Sequence, residues 1–141
     1  MKIKSDRLLS ANILCELLQH KGSLSTLLSA STRKHPELNL PLIQELCFGV
    51  CRWYYLLDDV STSLMKKPLR RKDLDIHCLI LMGLYQLFFM RVAPHAAINE
   101  TVSAVKKTWA KSLVNAVLRE AQRTHNELLS SIKSSQAHFS H

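Results

Sequence analysis

The sequence predicts an all-α fold, and three observations predict it. Apolar residues recur at intervals of three, four and seven through most of the chain, the spacing that lines one face of a helix. Three glycines and four prolines are too few for the turn density of a β-sandwich or barrel. Leucine is abundant while β-branched residues are sparse, a balance that favours helix over strand. At 141 residues and 47% hydrophobic content, the chain suffices for one domain with one core and is too short for two.

Taken in order, Asp6 is placed to cap a first helix whose Leu9, Ile13, Leu14, Leu17 and Leu18 form a stripe that Gly22 ends. Ser23 caps a short second helix through Leu27 and Leu28. The stretch "TRKHPELNLP" breaks the pattern, and Asn39 with Pro41 restarts it. From Leu42 to Met65, the residues Ile43, Leu46, Cys47, Val50, Tyr54, Leu57 and Leu64 return at helical intervals. Pro68 lies in the basic connection "KKPLRRK", and Asp73 is placed to cap "DLDIHCLILMGLYQLFFMRV". That segment is apolar on nearly every side, which predicts a central helix packed all round by its neighbours. Gly83 inside it costs about 1 kcal/mol against alanine, a loss that a close approach by another helix would offset. Two further helices follow. Ile98, Val102, Val105 and Trp109 fall within a narrow inward arc; Leu113, Val114, Val117, Leu118, Ala121 and Leu128 form the apolar face of the last helix. The domain spans 1–130, and the serine-rich 131–141 is a tail or a linker toward a further, catalytic domain.

Polar residues on the last two helices form rows. With Ile98 inward, Asn99 sits about 100° away, on a flank with Ser103 and Lys106, and Asn115 is in a row with Arg119, Gln122 and Asn126. Such residues either satisfy backbone groups and hold helices in register, or contribute a polar surface that touches phosphates.

Composition narrows the function. A net charge of +8 and a pI near 9.6 favour a polyanionic partner, because clustered cations displace counterions from phosphates. Cys15, Cys47, Cys51 and Cys78 lie in apolar helical stretches without Cys-x-x-Cys or zinc-finger spacing, as expected of small buried side chains in a reducing cytoplasm. The first residues lack a secretory signal. The most apolar run, Ile76 to Met90, has fifteen residues, short of the roughly twenty that span a bilayer. No acid pair, nucleophile with a base or phosphate loop can be assembled, and His77 and His95, near helix starts, read as capping or packed residues. Neither a catalytic residue nor a metal site is expected.

Four stretches, "LIQELCFGVCRWYYLLD", "LILMGLYQLFFM", "APHAAINETV" and "LVNAVLRE", follow one another in an order and spacing that resemble the NusB-type all-helical RNA-binding domain. "ELCFGVCRW" followed by "MKKPLRRKDLDIHCLILMGLYQLFF" is similar to the version at the N-terminus of the RsmB (Sun/Fmu) family of bacterial ribosomal RNA small subunit cytosine-5 methyltransferases. The resemblance covers roughly Asp6 to Glu127 and implies a NusB-like bundle of six to seven helices. It also implies a parent enzyme that methylates 16S ribosomal RNA from S-adenosylmethionine, bound by a separate C-terminal domain with a glycine-rich loop and "PCS"- and "TCS"-like cysteines. Those motifs are absent from this sequence, so the resemblance carries no catalytic residue or cofactor onto it.

The cations form three clusters: Lys2, Lys4 and Arg7; Lys66, Lys67, Arg70, Arg71 and Lys72; and Lys106, Lys107 and Lys111, with Arg119 further along. Each is either a solvated face or an RNA contact. Five cations within the seven residues from Lys66 to Lys72 repel one another, and a phosphate or an acidic neighbouring domain would relieve that. The resemblance places Lys2, Lys4 and Arg7 in the part of the domain through which NusB proteins engage RNA. Trp53 or Tyr55 could stack on bases if exposed. Three functions remain: a ribosomal RNA-binding, substrate-positioning domain of a cytoplasmic methyltransferase, touching its catalytic domain; a transcription antitermination factor; or a helical protein-interaction module.

Overall fold

Polar side chains set where the first three helices start. In the computed structural model, which describes residues 5–125 and Glu127, the Ser5 hydroxyl accepts the Leu8 N–H and opens α1 (Asp6–Leu18). Ser5, not Asp6, is the cap; the Asp6 carboxylate accepts the Asn39 N–H at 2.9 Å instead. α1 ends in a Schellman turn, with His20 N–H donating to Leu17 O and Lys21 N–H to Glu16 O, both at 3.0 Å. His20 adopts the left-handed φ of 59°, so the stop falls two residues before Gly22. Ser23 accepts the Thr26 N–H to open α2 (Leu24–Arg33). Asn39 accepts the Leu42 N–H to open α3 (Leu40–Arg52), with Pro41 in its first turn.

The apolar pattern from Leu42 to Met65 is not one helix. Trp53 leaves helical geometry (φ −108°, ψ 22°) and separates α3 from α4 (Tyr54–Leu64). Its ring stacks on Phe89, 4.8 Å between centroids. A 3₁₀ turn, Arg71–Asp73, leads into α5 (Leu74–Phe89), followed by α6 (Pro94–Ser103) and α7 (Thr108–Arg123). Among the described residues there are seven α-helices and no strand, the all-α bundle expected. Lys2, Lys4, Asn126, Leu128 and the tail 131–141 lie outside the described residues.

α5 is the axis. Every residue from Cys78 to Gln86 is buried, and α1, α3, α4, α6 and α7 pack around it. Two glycines let neighbours close in. A Cβ on Gly83 would lie 2.6 Å from the Leu118 δ-carbons of α7, and one on Gly49 would lie 2.1 Å from the Tyr85 ring. That ring reaches across α3 to donate its hydroxyl to Glu45 Oε2 at 2.8 Å. Ile98 and Val105 are buried as the inward arc requires, but Trp109 is 54% exposed. The helix carrying Ile98 stops at Ser103, so Trp109 and Lys106 do not share its phase.

One polar residue sits in the middle of this apolar axis. Gln86, fully buried, accepts at Oε1 from Arg7 Nη2 (2.9 Å) and Nε (3.3 Å) on α1. Its Nε2 donates to Thr101 Oγ1 on α6 (3.0 Å) and to the Met82 carbonyl (3.1 Å). The Thr101 hydroxyl in turn donates to the Ala97 carbonyl at 2.7 Å. Every donor and acceptor of the amide is used, which is what makes its burial tolerable. A second cross-link joins α5 to α4, where His77 Nε2 lies 3.0 Å from Asp58 Oδ1.

Gln86→Leu leaves the half-buried Arg7 guanidinium and the Thr101 hydroxyl without their shared partner. It is expected to lower unfolding free energy by about 1–3 kcal/mol in urea titration, while Thr101→Val on that background adds little. His77 is held below its ordinary pKa of 6.5, because burial outweighs the attraction of Asp58. The native state therefore binds this proton less readily than the unfolded chain. Its contribution is present above pH 6.5 and is lost as pH falls through the window below that value. Urea midpoints measured from pH 7.5 down to about 5 should fall, and His77→Gln should flatten that fall.

Candidate nucleic-acid interface

The basic loop between α4 and α5 stays in solvent. Met65 leaves α4 in extended conformation, and Arg70 accepts the Asp73 N–H at 2.9 Å to start the 3₁₀ turn. Lys66, Lys67, Arg70, Arg71 and Lys72 are all exposed, and none of them pairs with a carboxylate among the described residues. The acids nearest in sequence are taken by another residue. Lys107 Nζ, from the connection between α6 and α7, donates to Asp73 Oδ1 (2.9 Å), Asp75 Oδ1 (3.1 Å) and the Lys72 carbonyl (3.2 Å). These two carboxylates raise the Lys107 pKa above its usual 10.5. Asp73 is nearly buried and makes no side-chain capping bond; its role is to anchor Lys107.

This clamp brings the loop against the start of α7. Arg70, Lys72, Lys107 and Trp109 line one recess. It adjoins a groove of about 830 Å³ whose rim carries Lys66, Lys67 and Arg70 and whose floor includes Leu69, Leu113 and Val117. Two of the three clusters thus meet here through Lys107. Lys111 and Arg119 do not join them. Around α7, Lys111 lies about 160° from Trp109 and Arg119 about 80° from it, on the flank, where Arg119 Nε donates to Asn115 Oδ1 at 3.0 Å. Lys106 is exposed, and Asn99 is an exposed residue of α6. Arg7, expected at an RNA surface, directs its guanidinium to Gln86 instead.

The aromatic residues are distributed otherwise than their order in the chain implies. Trp53 is half-buried, stacked on Phe89 with Arg52 5.7 Å from its ring centroid. Tyr55 is exposed, as is Phe48. Trp109 was not legible as a surface residue when its phase was taken from α6; the polar run around it, "KKTWAKS", is the signal that marks it.

The thiols are poor candidates for chemistry. Burial pushes Cys47 up to about 12 and raises Cys51, Cys15 and Cys78 as well, which disfavours the reactive thiolate. The chain's three glycines are Gly22 in the α1–α2 turn and the packed Gly49 and Gly83, so the residues present do not fit a glycine-rich cofactor loop. Among the described residues no group of histidine, cysteine or carboxylate side chains has metal-binding geometry, and no helix is long and apolar enough to cross a membrane.

The sequence profile of the NusB family matches residues 4–123. The chain is similar to ribosomal RNA small subunit methyltransferase B of Pseudomonas putida, 45% identical over 130 residues, which is 90% of this chain and 30% of that protein. It is 44% identical over 126 residues to the probable ribosomal RNA small subunit methyltransferase B of Coxiella burnetii, covering 87% of this chain and 28% of the relative. The corresponding Escherichia coli protein is 38% identical over 143 residues, covering 99% of this chain and 33% of the relative. The chain therefore spans about a third or less of the curated relatives it matches.

Lys107→Met should lower unfolding free energy by about 1–3 kcal/mol at pH 8, because it strands the buried Asp73 carboxylate. The folded-state pKa of Lys107 is raised, so the stabilisation is complete below about 10.5 and lost as pH climbs through the folded value. The gap between parent and variant in urea titrations should accordingly close in strong alkali.

Proposed function

Because the chain belongs to the NusB family, we propose that it is the RNA-binding, substrate-positioning domain of a 16S ribosomal RNA (cytosine-5) methyltransferase. The observation that carries this reading is the 45% identity, over 90% of the chain, to one part of a ribosomal RNA small subunit methyltransferase B. An exposed row of five cations between α4 and α5 supports it. Phosphates are the natural complement to such a row, since each neutralised contact releases condensed counterions.

In this reading the domain holds RNA and makes or breaks no bond. Methyl transfer from S-adenosylmethionine belongs to a catalytic domain of the parent protein, reached through 131–141 and touching this domain within the same molecule. The work is cytoplasmic, where ribosomal RNA is modified. The contacting residues are drawn from Lys66, Lys67, Arg70, Arg71 and Lys72, with Lys106, Lys111 and Arg119 available to RNA that continues around α7. Lys2 and Lys4 remain part of the proposed surface. Arg7 and Lys107 serve chiefly by holding the fold that presents it.

Filter binding of a ribosomal RNA fragment should weaken steeply as salt rises. Reversing Arg70, Arg71 and Lys72 together to glutamate should weaken binding by about tenfold or more and reduce the log–log salt slope by about 2, with helicity by circular dichroism unchanged. Affinity indifferent to salt and to this triple reversal would sink the reading.

A further inference from the structure

Trp109 is a large apolar ring placed where folding gains little from it. It is 54% exposed, although burying such a ring is among the larger single gains open to a domain this small. The other tryptophan, Trp53, is stacked on Phe89. Among the described residues no aromatic ring and no cation stacks on Trp109, which leaves its indole without a π partner.

Its surroundings have a definite chemistry. Leu69 and Leu113 line the same groove, and Lys66, Lys67 and Arg70 stand along it. The two acids that also line it are already paired, Asp73 with Lys107 and Glu120 with Arg123. The groove thus combines an aromatic face, an apolar floor and an unneutralised cationic rim. Its volume, about 830 Å³, is within the range of small-ligand sites. An apolar side chain of a protein partner would use the floor and leave the cations unmatched. A nucleotide uses all three, with its base against the indole and its phosphates along the rim.

Resting on the RNA-binding reading above, we infer that this groove holds an unpaired RNA nucleotide whose base stacks on Trp109 while Arg70 and its lysine neighbours take the flanking phosphates. Paired bases already stack on one another and offer no free face. The groove therefore distinguishes single-stranded from duplex segments, whereas the loop cations alone attract both. Selectivity is for an unpaired state, not for a base identity, because every base has a π-face.

The chain has two tryptophans, so Trp53→Phe leaves Trp109 as the sole indole emitter. In that background a short oligouridylate should quench the emission saturably, and a blunt RNA duplex of equal length should bind without quenching. Trp109→Leu should weaken oligouridylate binding by about tenfold and leave duplex binding unaltered; Trp109→Phe, which keeps an aromatic face, should retain most of the affinity. If Trp109→Leu binds the oligomer as well as its parent, or if quenching is absent while both RNAs still bind in a salt-dependent way, the groove inference fails and the RNA-binding reading stands. If the parent binds neither RNA at low salt, both fall together.

Discussion

The buried amide of Gln86 is the constraint on which the arrangement of this bundle depends. Hydrophobic burial explains why α5 is central, but apolar contact is non-directional and would tolerate small rotations of the surrounding helices. Gln86 does not. Its oxygen is matched to a guanidinium on α1 and its nitrogen to a hydroxyl on α6. Turning either helix by one residue position would strand a polar group in the core, where each unpaired group costs about 1–3 kcal/mol. Three helices, α1 from the chain start and the consecutive α5 and α6, are therefore held in one register by one residue. The same constraint ties the half-buried Arg7, a cation near the chain start, into the packing scheme.

A second polar contact works at the opposite end of the polarity scale. The loop before α5 concentrates five cations without a single paired carboxylate among the described residues. Asp73 and Asp75, the acids closest in the chain, are drawn to Lys107 from the α6–α7 connection. The exchange has two effects. It ties the loop to α7, which sets Trp109 beside Arg70 and Lys72. It also commits the local negative charge to Lys107, so the loop cations keep their field for a partner. Fold and surface are thus joined through one ammonium group, which distinguishes Lys107 from the other lysines with which it appears in sequence.

Most of the architecture was legible before any coordinates. Ser23, Asn39 and Pro41 mark helix starts by chemistry that acts within three or four residues, and the segment around Ile80 reads as central because it is apolar on every side. Gly83 was legible for the same local reason, since a glycine inside so apolar a helix implies a close neighbour. The misreadings have a common origin. Trp53 interrupts an unbroken apolar rhythm because its ring stacks on Phe89, thirty-six positions away. Trp109 was assigned an inward direction by extending the phase of a helix that stops at Ser103. Asp73 carries the signature of a cap and instead anchors a lysine from another connection.

What the amino-acid order settled alone is the class of fold, the approximate limits of its helices, its central element and its excess of positive charge. Each follows from interactions between residues a few positions apart, or from composition, and neither needs a partner from elsewhere in the chain. What only the tertiary structure decided is which cations remain free, which tryptophan is covered, and that the loop from Lys66 to Lys72 meets the start of α7. Those outcomes depend on side chains thirty to eighty positions apart, such as Lys107 with Asp73 and Arg7 with Gln86. A pattern of polarity along a helix reports that a residue can face a neighbour; it holds no information about which neighbour arrives with the matching charge or proton.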